Sequence, residues 1–298
     1  MTSEIYLGDR GAPFKDLITR FLQRGKLRPK YINTLTSVEN MKLYGKAFTA
    51  ASANTTENYE IYEQLGDLSA NKFIVWYAYR RFPQLKCPKG VKVVARLRIN
   101  YGAKQSFASI AESLGFWPYI SAAEDGTERA AKYRGRHMKD LLEDVFEAIV
   151  GCTEQILDDE FRPGVGYAIV YDILGNIFDD IPISLKYTDL YDAKTRMKEI
   201  FDMFGNDIGT FKFIDTRTES MAVSRLYQVP TGTARNPLTT MHMGEKVLRP
   251  NRGWIPIGSG SGTKKMDAQQ NASDEGIITL NSNGYIKPVA LEYRLFCK

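Results

Sequence analysis

The sequence predicts a multi-domain chain, an all-α domain followed by a small α+β domain of order α-β-β-β-α. Three observations carry this. The 298 residues exceed what one domain of ordinary size needs. From residue 14 to 178 apolar side chains recur at the helical period and no alternating run of strand length stands out. Beyond a polar, proline-bearing stretch, "DDIPISLKYTDL", three short runs rich in β-branched and aromatic residues lie between two helical ones. The boundaries drawn are 1–180 for the helical domain, 181–190 for a linker, and 191–280 for the α+β domain with an insertion at 230–253. Residues 281–298 form a C-terminal extension.

In chain order, "FKDLITRFLQRG" is helical and ends at a glycine. "SFASIAESLGFWPYI" sets Phe107, Ile110, Ala111 and Leu114 at i, i+3, i+4 and i+7 and stops at Gly115. "MKDLLEDVFEAIVGCTEQIL" and "YAIVYDILGNIF" continue the helical pattern. After the linker, "DAKTRMKEIFDMFG" places Met197, Ile200, Phe201 and Phe204 on one face. "TFKFID", "SRLYQV" and "GWIPIG" read as strands, and "GTKKMDAQQNA" as a last helix opening at a Gly/Ser-rich turn. A long basic loop, "PTGTARNPLTTMHMGEKVLRPNR", separates the second and third strands.

Composition narrows the class. With 43% hydrophobic and 12% aromatic residues the chain can build real cores. The net charge of +5 permits a polyanionic partner without requiring one. Cys87, Cys152 and Cys297 form no CxxC pair, which argues against a disulfide framework and fits a reducing compartment. The first residues lack the apolar core of a signal peptide, and no stretch approaches the roughly 18 apolar residues of a membrane span. The expectation is a soluble intracellular protein with no membrane partner.

One stretch resists a purely structural reading. In "EIYEQLGDLSANKFIVWYAY", a helix over 57–79 puts Glu60, Glu63 and Asp67 at i, i+3 and i+7, on one face. Like charges there repel, and the cost rises if they are buried. A second set, Asp144 and Glu147, lies at i, i+3 among Leu141, Leu142, Val145, Phe146, Ala148 and Ile149. Either set alone reads as a solvated face. Together they suggest an all-oxygen cage for a hard divalent cation, Mg²⁺ or Mn²⁺. The chain's 2 histidines, His137 and His242, cannot supply a carboxylate-histidine di-iron site or a histidine-rich zinc site. Acidic helix pairs also occur in all-α nucleotide pyrophosphohydrolases, and spacing alone does not separate the two. Gly66, in the middle of the first acidic helix, costs about 1 kcal/mol relative to alanine and points to close approach of another backbone, or to a helix start or kink there.

"YEIYEQLGDLSANKFIV" resembles the signature of ribonuclease III, and "KDLLEDVFEAIVG" resembles that family's second acidic motif. Between them "SFASIAESLGFWPYI" is similar to the family's intervening helix, and "KAFTAASANTTEN" to the stretch leading into the signature. The resemblance covers most of residues 14–180, in the family's order. It implies an endonuclease domain whose catalytic metal ligands are Glu63, Asp67, Asp144 and Glu147, with Glu60 and Asn71 in support. The cofactor implied is Mg²⁺, which Mn²⁺ can replace. The activity implied is cleavage of double-stranded RNA by a homodimer, leaving 5′-phosphate and 3′-hydroxyl ends with short 3′ overhangs.

The second half resembles a double-stranded-RNA-binding domain, whose Gly-rich turn and basic helix are similar to "GSGSGTKKMDAQQNA". Lys264 and Lys265 are the implied phosphate contacts there, joined by Arg134 and Arg136 of "KYRGRH". The chain departs from these patterns. The loop "DTRTESMAVSR" lacks a Gly-Pro-x-His motif, the insertion is long, and Ala50 stands where many members have histidine. A catalytically silent relative that only binds structured RNA is the rival reading; such members have usually lost an acidic ligand, and this chain keeps all four. Trp76 and Tyr77 read as core or dimer packing, Cys152 as an inert buried thiol, and Arg80, Arg81, Arg96 and Arg98 as solvated surface, with phosphate contact the alternative.

Overall fold

A computed structural model describes residues 4–124, 136–218, 220–231 and 253–296. The chain divides into two compact units, Met1–Ile183 and Ser184–Lys298.

The first unit is built on helices α1 (Ala12–Gln23), α2 (Pro29–Leu35), α3 (Val38–Ala47), α4 (Glu60–Arg81), α5 (Val91–Tyr101), α6 (Lys104–Ser113), α7 (Arg136–Glu160) and α8 (Val165–Asp179). Proline in the first turn starts α1 and α2, where its missing N–H costs nothing. Ser37 caps α3 by accepting from the Asn40 amide at 3.3 Å. The first turn of α4 is acidic, with Glu60 and Glu63, and the last is basic, with Arg80 and Arg81, as the helix dipole favours. At the centre runs α7. Its middle is buried: Val145, Phe146, Ala148, Ile149, Val150 and Cys152 are all fully enclosed around Glu147. It packs against α3, α4, α6 and α8.

The expectation of an all-α first half needs one correction. Strands β1 (Glu4–Tyr6) and β2 (Ala122–Glu124) pair antiparallel, Ile5 opposite Ala123. Three-residue strands show no alternation, and partners so far apart in sequence leave no local signal. The segment after β1 is pinned by Arg10, whose guanidinium donates to the carbonyls of Gly45 and Phe48 at 3.2 Å each and to that of Tyr119.

In the second unit the order α10 (Ala193–Ile208), β3 (Thr210–Arg217), β4 (Ala222–Val229), β5 (Ile255–Gly262), α11 (Lys265–Ser282) is observed directly. The strands form one antiparallel sheet in sequence order, with a bulge at Leu226/Tyr227. Met197, Ile200 and Phe201 of α10 close on Leu226, Ile257, Ala272 and Leu280. Gly258 and Gly260 let α11 lie on β5, since a Cβ on either would fall 2.3 Å from the backbone of Ala272. Two short helices were not anticipated, α9 (Tyr187–Leu190) inside the expected linker and α12 (Leu291–Phe296) inside the C-terminal extension. They meet through Tyr187, Tyr191 and Tyr293, whose ring centroids lie 4.9–5.5 Å apart.

Of the residues singled out in the sequence, Arg134, Cys297, His242 and nearly all of the 230–253 insertion lie outside the described residues. Among the described residues no helix is long and apolar enough to cross a membrane.

Candidate active site

The site is set by how α4 and α7 cross. A Cβ on Gly66 would fall 1.8 Å from the carbonyl oxygen of Glu147, and one on Gly151 would fall 2.1 Å from that of Tyr62. The two backbones therefore touch, each through a glycine. This is the close approach that a mid-helix glycine signals, and α4 runs through it from Glu60 to Arg81 as one helix. Glu63 and Asp67 flank Gly66, and Glu147 lies one turn before Gly151. The crossing brings the two acidic sets to one place.

Their electrostatics show the proximity. Glu147 is buried, 6% exposed. Burial, followed by the carboxylates of Asp67, Glu143, Glu63 and Asp144, pushes its pKa up to about 9. Burial and then Asp144, Glu60, Glu143 and Asp67 push Glu63 up to about 7. Asp67 and Asp144 thus act on both glutamates, and Glu63 acts on Glu147. Glu60 itself is exposed on the first turn of α4.

Three neighbours order the carboxylates. The Tyr59 hydroxyl donates to Asp144 Oδ2 at 2.7 Å; burial, then the Asp144 carboxylate that accepts this bond, and then Glu63 and Glu60 hold the phenol above its ordinary pKa. Asn71 Nδ2 donates to Asp67 Oδ1 at 2.6 Å and to the Asp67 carbonyl at 2.9 Å. Lys104 Nζ lies 2.8 Å from both Asp140 and Glu143. Among the described residues no three Asp, Glu, His or Cys side chains converge, as they stand, into a group that could hold a metal ion. The donor chemistry nevertheless fits a hard divalent cation. The set is all oxygen, and what acts most strongly on Glu147 is burial and four carboxylates, a strain that a cation would relieve.

Sequence reasoning missed Tyr59, Glu143 and Lys104. Glu143 stands four residues before Glu147, the same one-face spacing that picked out the other acids, so its signal was present. Tyr59 and Lys104 act across helices and left none. Lys72 turns away from the acids and sits 3.7 Å from the centroid of the Tyr167 ring.

The predicted RNA contacts fare unevenly. Lys264 is the N-cap of α11. Lys265 opens that helix but is tied to Asp215 of β3 at 2.8 Å, and Asp215 also accepts from Ser224 and Gln269. Burial pulls the Asp215 pKa upward, but these three donors outweigh it and hold the carboxyl below its ordinary range. Arg136 is the first residue of α7. Of the residues read as packing, Tyr77 is buried while Trp76 is exposed, and the Cys152 thiol is fully buried, which pushes its pKa up.

Comparison with known proteins places this geometry. The family model of the Ribonuclease III domain matches residues 60–154, a stretch that opens on Glu60 and contains both acidic sets. A protein of Invertebrate iridescent virus 6, provisionally named ribonuclease 3, is 39% identical over 290 residues, covering 93% of this chain and 90% of its own length. A protein of Frog virus 3 with the same provisional name is 35% identical over 262 residues, 88% of this chain and 61% of that protein. The nuclease domain of ribonuclease III from Campylobacter jejuni aligns over 52% of this chain and 99% of its own, with 26% identity and a TM-score of 0.38. With 39% identity sustained over 93% of this chain and 90% of the Invertebrate iridescent virus 6 protein, the chain belongs to the ribonuclease III family.

Proposed function

We propose that this chain is a divalent-metal-dependent endoribonuclease that cuts double-stranded RNA to 5′-phosphate and 3′-hydroxyl products with short 3′ overhangs. The observation that carries the reading is the glycine-to-glycine crossing of α4 and α7, which gathers Glu63, Asp67, Asp144 and Glu147 in a half-buried setting that raises two of their pKa values. Those four carboxylates would hold Mg²⁺ or Mn²⁺. Such a cation, when bound, supplies positive charge against a scissile phosphate and acidifies water. The chain's own part is placement. Gly66 and Gly151 fix the helix spacing, Tyr59 orients Asp144, and Asn71 orients Asp67.

A homodimer is supported by one face of α4. Ile61, Leu65, Leu68 and Trp76 follow helical spacing and are between 42% and 65% exposed. A stripe of large apolar side chains beside an acidic site is the kind of surface that a second copy covers. The α-β-β-β-α unit would add sequence-independent affinity by reading A-form shape and phosphates. Lys264 at the start of α11 is the better contact there, because Asp215 competes for Lys265.

The test is a gel assay with a labelled long RNA duplex and Mg²⁺, comparing wild type with Glu147→Gln. Cleavage by wild type together with binding but no cleavage by the variant supports the reading. Binding without cleavage by both, in Mg²⁺ and in Mn²⁺, replaces it with a silent RNA-binding relative.

A further inference from the structure

Behind Asp67 lies a second layer of hydrogen bonds that runs from Asn71, inside the acidic motif, to Arg98, outside it. Asn71 donates Nδ2 to Asp67 Oδ1 at 2.6 Å. An amide can present either end, a donor or an acceptor. The orientation is chosen at the far side, where Asn71 Oδ1 accepts from Arg98 Nη1 of α5 at 3.3 Å. A guanidinium has donors only. Were the amide reversed, its oxygen would face the Asp67 carboxylate and its NH₂ the guanidinium, two repulsive contacts in place of two attractive ones.

The contact is built into the packing. At the end of α5, a Cβ on Gly102 would stand 3.1 Å from Asn71 Oδ1 and 3.3 Å from Ile74 Cδ1, so the chain there is pressed against α4 at this residue. Arg98 was read from sequence as solvated surface. It is exposed, but its head group is committed to the amide that orients Asp67.

We propose that Arg98 is a positioning residue of the carboxylate site, acting through Asn71 to hold Asp67 in register for a divalent cation. The proposal rests on the cation reading above. Its signature is separable from that of an arginine that merely meets RNA phosphate, because it is expressed with no RNA present.

The experiment is calorimetric titration of Mn²⁺ into the full-length chain without RNA, for wild type, Arg98→Met, Asn71→Ala and the double variant. Duplex cleavage is then resolved into kcat and KM. Arg98 is exposed, so its variant should melt within a degree or two of wild type. The expected result is about 10-fold weaker Mn²⁺ binding in Arg98→Met, the lower end of what outer hydrogen-bond partners of a metal site contribute. Asn71→Ala should lose at least as much, and the double variant no more than Asn71→Ala alone. Cleavage should fall in kcat at fixed Mg²⁺ and recover as Mg²⁺ is raised. Unchanged Mn²⁺ affinity in Arg98→Met with a raised KM for duplex would overturn the proposal and make Arg98 a phosphate contact. Additive losses in the double variant would equally refute action through Asn71. A wild type that takes up neither Mn²⁺ nor Mg²⁺ fails at an earlier point, removing the cation reading and this role with it.

Discussion

Replacing Gly66 by alanine sets two effects of opposite sign against each other. A mid-helix glycine to alanine change should stabilise α4 by about 1 kcal/mol through backbone entropy. The new Cβ, however, would begin 1.8 Å from the Glu147 carbonyl oxygen and 2.9 Å from the Gly151 nitrogen. A carbon–oxygen contact relaxes only at about 3.3 Å, so α4 and α7 must part locally by roughly 1.5 Å. The obstacle is backbone, which cannot swing aside as a side chain can. Overpacking of this kind costs about 1–3 kcal/mol or more, and the net expected is a loss of about 2 kcal/mol. For a unit of this size that is a fall of roughly 4–8 °C in melting temperature. The functional loss should be larger, because Glu63 and Asp67 move away from Glu147, and about 1 Å of misplacement costs on the order of 100-fold in rate. Gly175 of α8 is the control, since nothing lies within 4 Å of a Cβ built there; Gly175→Ala should be neutral or slightly stabilising. Thermal melts by circular dichroism and cleavage of a labelled duplex decide the matter. If Gly66→Ala melts at or above wild type and cuts normally, the close crossing does not set the site.

Further outcomes follow from the same geometry. Glu63 and Glu147 have folded pKa values raised from 4.5 to about 7 and about 9. The folded state therefore holds protons that the unfolded state has released, and without divalent cations stability should be full below about pH 4.5 and decline as pH rises, through about 7 for Glu63 and on to about 9 for Glu147. Glu147→Gln should flatten that decline and melt higher than wild type at pH 8 while abolishing cleavage; equal pH slopes in the two proteins would remove the burial argument. Tyr59→Phe takes the donor from Asp144 and should destabilise by about 1–2 kcal/mol in chemical denaturation, so an unchanged midpoint would show that the bond carries nothing. Leu68→Glu on the exposed face of α4 should give a folded monomer by sedimentation, and a wild type that is itself monomeric at micromolar concentration refutes the dimer face. Asp215→Asn should free Lys265 and tighten binding to duplex RNA, read by fluorescence anisotropy against salt concentration; unchanged affinity would leave Lys265 without an RNA role.

What the sequence made legible follows from how far apart the interacting residues lie in the chain. Periodicity reads one helix at a time. It found the buried stripes of α7 and α8, the one-faced acids of α4, and the helix-strand-strand-strand-helix order of the second half, because each is a local pattern. It could not find β1 against β2, the docking of α12 on α9, or the bonds from Tyr59 to Asp144 and from Arg98 to Asn71, because each joins segments whose meeting only the fold decides. Gly66 stands between these cases. Its cost in a helix is visible locally, so sequence alone pointed there to a close approach or to a helix start or kink. What approaches, the Glu147 carbonyl, belongs to another helix.

The site was therefore half legible for a physical reason. Carboxylates brought to one site must be gathered by something other than mutual attraction, since among themselves they repel. The attraction that opposes this lies in α7, whose apolar middle is buried against α4, and in the absence of two Cβ atoms at the point of contact. The acids are written as motifs, whereas the force holding them together is written as ordinary core residues and two glycines. A search for acidic spacing finds the first and passes over the second. Substitutions at Gly66 and Gly151 should on this argument damage the site as severely as loss of one of its acids, without touching a single carboxylate.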